Sequence, residues 1–325
     1  MSELRRDPIL RRWVIIAPER GAEVLARRAS PPPGKPVGPC PFCPGNETMN
    51  PEEIAAVRED GGWLVRVTPD KQPLLRIEGD LDRRGAGMFD VMNAIGAHEL
   101  VSDTPEHARF WADFSAGHMA RLLETYRARI TDLRRDRRFR HAAVLKNHSA
   151  AWSRYVHAHS HVIATPFVSK RVEEELAGAR EYYRMKERCA FCDQIAEELR
   201  VEARVILRNP DFVCFAPFAS ERPYEMRIAP VRHAADFGAL PDRALLPLAE
   251  VMVGALGRLR TTLGDPPYSV ALHAGPLDGS EVAEFHWHWE IAPHLAHELG
   301  MEWATGIFSN PVPPEEAARR LRAAG

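Results

Sequence analysis

The sequence predicts an α+β fold of two tandem units, each an antiparallel sheet with helices packed on it, and three observations carry that prediction. A Cys-x-x-Cys pair occurs twice, at Cys40/Cys43 and at Cys189/Cys192. Each pair is followed by a histidine at a helix entry (His107, His233) and then by His-x-His on a strand (His157-Ala158-His159, His286-Trp287-His288). The spacings agree, 50 residues from His107 to His157 and 53 from His233 to His286. A duplicated unit, with a boundary between residues 1–170 and 171–325, accounts for that shared order.

The totals suit this reading. A chain of 325 residues has room for two domains of average size. Hydrophobic residues at 45% and charged residues at 27% describe a globular protein rather than a disordered one. A net charge of −2 supplies no field to recruit nucleic acid or an anionic membrane. No apolar run approaches the roughly 20 residues of a membrane helix. The first residues, Met1 to Asp7, lack the apolar core of a secretory signal, so a cytoplasmic protein is expected. Four of the five cysteines sit in the two pairs, which in a reducing compartment points to metal or redox chemistry. Cys214, within Phe212-Val213-Cys214-Phe215, reads as a small buried hydrophobe on a strand.

Taken in order, Trp13 to Ala17 reads as a strand stopped by Pro18. Arg27 to Pro41, rich in proline, is an irregular loop into Cys40. Trp63 to Val67 is a strand. Thr104-Pro105-Glu106 carries the cap, proline and acid of a helix start, and Phe110, Phe114, Met119, Leu122, Leu123, Tyr126 and Ile130 form its apolar stripe. Strands follow at Ala142–Leu145 and Val156–Ala164, then a charged helix from Arg171 to Glu187. The second half offers strands at Val205–Leu207 and Met226–Ala229, a helix from Pro241 to about Leu263, and strands at Ser269–His273 and around His288.

Two thiolates spaced as Cys40 and Cys43 chelate one tetrahedral zinc and need two more ligands, for which His107 and His157 are the natural candidates. A redox role is the competing reading, but no thioredoxin-like βαβ unit adjoins the pair. Cys189, Cys192, His233 and His286 make the equivalent second site, unless it has lost its metal and the histidines merely pack. On a strand, His157, His159 and His161 line one face about 6.6 Å apart. With His157 on zinc, His159 can turn one ring nitrogen to a phosphorus while the other donates to a carbonyl. His161 can donate to a phosphate oxygen. The alternative is a metal site that uses all three rings. Asn147 and Ser149 supply donors nearby, and Arg20 either reaches a phosphate or is a plain exposed arginine. His273, His288, Glu290 and an acid from Glu173 to Glu175 read as packed or solvated residues rather than ligands.

These segments resemble the galactose-1-phosphate uridylyltransferase family, the transferase branch of the histidine-triad superfamily, over nearly the whole chain. The resemblance is carried by Trp13 to Arg20, Cys40-Pro41-Phe42-Cys43-Pro44-Gly45-Asn46-Glu47, Asp103-Thr104-Pro105-Glu106-His107, Lys146-Asn147 and His157-Ala158-His159. In the second half it rests on Cys189-Ala190-Phe191-Cys192, Ala216-Pro217-Phe218-Ala219 and Gly306 to Pro311. It implies two histidine-triad-like domains, a homodimer, zinc on Cys40, Cys43, His107 and His157, and a ping-pong cycle that nucleotidylates His159. It also implies substrate contacts at Arg20, Asp70, Asn147, Ser149 and Ser160, with a nucleotide sugar and a sugar 1-phosphate or phosphate as partners. Three departures stand out. His161 occupies a position where the family's transferases carry glutamine. Val67-Thr68-Pro69-Asp70 has aspartate where the nucleoside loop has asparagine. Met301 to Pro311, with Glu302 and Phe308, looks more like the adenylyl-sugar phosphorylases of the family. The expected activity is UDP-glucose:hexose-1-phosphate uridylyl transfer. The alternatives are a phosphorylase of ADP-sugars or dinucleoside polyphosphates, and a zinc-stabilised nucleotide binder without turnover.

Overall fold

A computed structural model describes residues 1–21, 39–149, 155–278, 283–295 and 300–325. Most of the loop expected over Arg27–Pro41 lies outside the described residues. The strands are β1 (Glu3–Arg6), β2 (Trp13–Ile16), β3 (Ala55–Glu59), β4 (Gly62–Pro69), β5 (Arg84–Ala86), β6 (Phe89–Val91), β7 (Ala97–Ser102) and β8 (His141–His148). After these come β9 (His159–Thr165), β10 (Val205–Arg208), β11 (Phe212–Phe215), β12 (Met226–Pro230), β13 (Tyr268–His273), β14 (His288–Pro293) and β15 (Phe308–Asn310). The helices are α1 (Ala116–Leu133), α2 (Lys170–Lys186), α3 (Ala190–Val201), α4 (Asp242–Leu263), α5 (Gly300–Thr305) and α6 (Pro314–Ala323). None of the described helices is long and apolar enough to cross a membrane.

Ten strands form one antiparallel sheet in the order β10-β11-β12-β14-β13-β8-β9-β7-β4-β3. Outward from its centre the strands run β8, β9, β7, β4, β3 on one side and β13, β14, β12, β11, β10 on the other. The sequence suggests a separate sheet in each half, whereas β8 and β13 pair from His148↔Tyr268 to Val144↔Leu272. The physical reason is that each would otherwise present a row of unpaired backbone groups, and pairing them removes both edges. Helices α1 and α4 cover the sheet. Met119, Leu122, Leu123, Tyr126 and Ile130 of α1 and Leu248, Met252, Leu256 and Leu259 of α4 are almost fully buried in a common core. Burying each such side chain contributes roughly 2 kcal/mol.

The long helix does not begin at Thr104. It starts at Ala116, where the Ser115 side chain accepts from the His118 N–H. Thr104 is committed elsewhere, since its carbonyl accepts from His157 Nε2 at 2.7 Å and its hydroxyl oxygen from the Glu106 N–H at 3.2 Å. The segment from Thr104 to Phe110 is therefore free of helix and carries His107 toward Cys43.

Candidate functional site

Strand β9 lies between β8 and β7, and alternation along it sends His159 and His161 to one face and Ser160 to the other. Ser160 Oγ donates to Asp103 Oδ1 at 2.6 Å and lies 2.6 Å from the Tyr126 hydroxyl. Asp103 also accepts from Trp111 Nε1 at 2.8 Å and faces the Lys146 ammonium at 3.2 Å. Lys146 in turn donates to the His159 carbonyl at 2.9 Å. This buried network braces the strand from behind. The Ser160 hydroxyl, expected on substrate, is turned away from the open face, because the next side chain on a strand always is. His157 stands just before β9 rather than on it, at the strand's entrance.

On the open face is a cavity of about 260 Å³ whose lining includes Phe42, Asp70, His98, Asn147, His159 and His161. His159 Nδ1 donates to the His157 carbonyl at 2.7 Å, which places the ring's lone pair on Nε2. Burial first, then the Lys146 charge, pushes the His159 pKa down to about 4, so the ring is neutral near pH 7. Phe42 and Tyr155 wall it in, with ring centroids at 5.3 Å and 5.9 Å. The Asn147 amide is oriented from the other half of the chain. Ser269 Oγ on β13 donates to Asn147 Oδ1 at 2.7 Å and accepts from His294 Nε2 at 2.7 Å. Asn147 therefore keeps its N–H₂ for the cavity. Among the described residues, Arg20, Ser149, Glu302 and Phe308 do not line this cavity, and Arg20 is exposed on the turn after β2.

Sequence reasoning passes over His98. Its ring on β7 lies 3.1 Å from His161 and 3.7 Å from Asp70. The one available signal is a histidine inside the otherwise regular strand Ala97-His98-Glu99-Leu100-Val101. Burial lowers the pKa of His98, with Asp70 opposing. Burial and then His98 lower that of His161, again against Asp70.

Cys40, Cys43, His107 and His157 bring one donor atom each to within 4.8 Å of one another. The sulfur-to-nitrogen distances are 3.4 Å (Cys43–His107), 3.5 Å (Cys40–His157) and 3.7 Å (Cys43–His157). A tetrahedral ion with zinc's bond lengths to sulfur and nitrogen requires about 3.6 Å along such edges. His157 donates its outer nitrogen to Thr104, the arrangement of a ligating imidazole. These residues fit a metal. Cys189, Cys192, His233 and His286 converge likewise, with Cys192 Sγ 3.3 Å from His233 and 3.5 Å from His286. That site is less firmly braced. His286 Nε2 is buried without a partner among the described residues, and the Cys189 thiol donates to the Glu284 carbonyl.

Glu175, His273, His288 and Glu290 also converge, the set that the sequence reads as packed or solvated rather than ligating. His273 places Nδ1 3.0 Å from Glu175 and Nε2 3.2 Å from Glu290, and Arg227 and Arg171 reach Glu290 at 2.8 Å and 3.6 Å. Both nitrogens of His273 face carboxylates, an arrangement that suits an internal charge network around an imidazolium. Burial pulls His273 down, but Glu175 and Glu290 outweigh it and lift the pKa to about 10.

The chain is 30% identical over 328 residues to the ADP-glucose phosphorylase of Arabidopsis thaliana, spanning 98% of this chain and 92% of that protein. It is 26% identical over 333 residues to a galactose-1-phosphate uridylyltransferase of Thermotoga maritima, spanning 99% and 98%. The crystal structure of an ADP-glucose phosphorylase from Arabidopsis thaliana with bound ADP-glucose matches the fold with a TM-score of 0.86 at 30% identity, over 100% of both chains. No protein-family model matches the chain.

Proposed function

Because the chain belongs to the galactose-1-phosphate uridylyltransferase family of nucleotidyltransferases, we propose that its reaction runs through a nucleoside monophosphate carried covalently on His159. The single observation that carries this reading is the 2.7 Å bond from His159 Nδ1 to the His157 carbonyl, which puts a neutral lone pair on Nε2 at the edge of the cavity. A neutral imidazole needs no separate base to become a nucleophile. Nε2 attacks the α-phosphorus of a nucleotide sugar in line. The bond to the bridging oxygen breaks, and the sugar 1-phosphate leaves with that electron pair. In the second half-reaction a phosphate oxygen of the acceptor attacks the same phosphorus and the P–N pair returns to His159. Charge on the phosphoryl oxygens calls for placed donors rather than bases. Asn147 N–H₂ and His161 are two of the donors that line this cavity.

Zinc on Cys40, Cys43, His107 and His157 would be structural, holding His157 and so the carbonyl that orients His159. The same ion would occupy the second cluster. We read the halves on either side of residue 170 as duplicated histidine-triad-like domains, a view supported by the matching strand orders about the β8–β13 pair. A cytoplasmic homodimer acting on small molecules completes the reading.

The first reading takes UDP-glucose as donor and a hexose 1-phosphate as acceptor, in keeping with the relatives named galactose-1-phosphate uridylyltransferase. A second reading takes an ADP-sugar as donor and phosphate as acceptor. It is favoured by the 30% identity to the ADP-glucose phosphorylase and by histidine at position 161. Incubating the protein with UDP-glucose or ADP-glucose and weighing it intact decides between them. A gain of one UMP supports the first and one AMP the second, and no covalent gain with either refutes the His159 pathway.

A further inference from the structure

Histidine at position 161 poses a problem that glutamine does not. A neutral imidazole has two tautomers, and only the one with a proton on the nitrogen facing the phosphate can donate to it. The other would aim a lone pair at a negative oxygen. The cavity resolves this ambiguity before any substrate arrives. The backbone N–H of Leu74 donates to His98 Nδ1 at 3.1 Å, so a neutral His98 carries its proton on Nε2. His98 Nε2 lies 3.1 Å from His161 Nδ1. His98 therefore donates, His161 Nδ1 accepts, and the His161 proton resides on Nε2, the ring edge away from His98. The His161 ring lines the cavity beside His159, with ring centroids 5.4 Å apart.

We propose that His98 is a positioning residue that holds His161 in its Nε2–H tautomer, as a fixed hydrogen-bond donor to the phosphate oxygens at the reacting centre. The proposal rests on the reading of His159 as nucleotide carrier.

A metal ion is the competing use of these residues. Asp70 Oδ2 lies 3.7 Å from His98 Nε2 and 3.9 Å from His161 Nδ1. A point equidistant from the three atoms is about 2.1 Å from each, a bond length that zinc accepts. The Leu74 N–H rules this use out. A ligating imidazole donates through its second nitrogen, as His157 does to Thr104. His98 accepts there, so metal on Nε2 would demand a doubly deprotonated ring. Asp70 lies beyond hydrogen-bond distance of both rings, so toward them it acts as a nearby negative charge.

The test compares the wild type, His98→Leu, which keeps only bulk, and His98→Gln, which keeps an N–H donor and an accepting oxygen. Covalent labelling is followed by quenched intact mass, with zinc content and melting as fold controls. His98→Leu should slow labelling roughly 10- to 100-fold, the usual cost of removing the partner that orients a histidine, and His98→Gln should recover most of it. In a His161→Gln background, His98→Leu should have little further effect, since glutamine has no tautomer to hold. Unslowed labelling in His98→Leu overturns the proposal, as does equal slowing in both backgrounds, which would make His98 a packing residue. The ¹⁵N spectrum of histidine-labelled wild type needs no variant. A proton on His161 Nε2 supports the proposal, and one on Nδ1 overturns it. A wild type that takes up no nucleotide refutes the His159 reading instead, and the spectrum then decides the tautomer alone.

Discussion

The Phe42 ring lies 5.3 Å from the His159 ring at an interplanar angle of 38°. The pair Phe191 and His288 repeats this at 5.4 Å and 38° in the second half. Phe42 is the residue before Cys43, so the loop that brings the thiolates together also supplies one wall against the His159 imidazole. Phe42→Leu should therefore slow labelling of His159 by about tenfold through misplacement of the ring, while zinc content stays at the wild-type value. Metal analysis beside quenched labelling checks this, and loss of zinc in the variant would assign Phe42 to the metal site instead.

His159→Ala should abolish covalent labelling and leave melting nearly unchanged, because on the proposed pathway the side chain carries the nucleotide and stands outside the Cys40, Cys43, His107 and His157 cluster. His157→Ala should behave in the opposite way, losing metal and stability together, since a structural zinc contributes folding free energy. Calorimetry with intact mass separates the two. Labelling that survives in His159→Ala would move the nucleotide to another residue.

Metal analysis of protein purified without added metal should find about two zinc ions per chain. The two should leave at different rates under a chelator. The Cys40/Cys43 site, whose His157 is tied to Thr104, should hold on roughly 10- to 100-fold better than the Cys189/Cys192 site, where His286 Nε2 has no acceptor among the described residues. Simultaneous release would show that the Thr104 bond adds nothing.

His161→Gln should lengthen the life of the nucleotidylated enzyme several-fold and flatten its pH dependence. An unperturbed histidine titrates over about pH 5.5–7.5. Burial and then His98 lower the pKa of His161 against the pull of Asp70, so its window moves down. In the wild type the decay rate should be level from pH 8 to 7 and change only as pH falls below about 6.5. The same decay profile in both proteins would make His161 a mere placeholder for glutamine.

The Glu175–His273 pair makes stability depend on pH in a predictable direction. His273 has a folded pKa of about 10, above its unfolded value, so its contribution is complete below about pH 6.5 and is lost as pH rises toward 10. Glu175 is held well below the ordinary carboxylate value, against the burial that opposes it. Its contribution is present above about pH 4.5 and fades in acid. Melting temperature should fall between pH 7 and 10. Glu175→Gln should lower stability by about 3–5 kcal/mol at pH 6 and flatten that slope, with Glu290 keeping part of it. An undiminished slope after the substitution would place the titrating group elsewhere.

Much of this site was legible in the sequence because its parts are short and stereotyped. Cys-x-x-Cys and His157-Ala158-His159 each announce themselves within a few residues. The misplaced start of α1 shows the limit of local rules. Thr104-Pro105-Glu106 has every mark of a helix cap, and only the distant ring of His157 claims the Thr104 carbonyl. His98 was invisible for the same reason, since its partners Asp70 and His161 are 28 and 63 residues away. Strand β7 was hidden by Glu99, an acid that is buried only because Arg129 on α1 meets it at 2.6 Å. The shared sheet depends on two edges finding each other, which no period in the sequence records.

The β8–β13 seam has a consequence for how this molecule can be divided. A protein cut near residue 170 would leave a bare strand edge on each fragment and would strip Asn147 of the Ser269 hydroxyl that aims its amide. The C-terminal half has a charge network where the other half has an open cavity, and it braces Asn147 through Ser269. Through it, a substitution at Ser269 or His294, on a part of the chain remote in sequence from His159, reaches the Asn147 amide in the cavity that His159 lines.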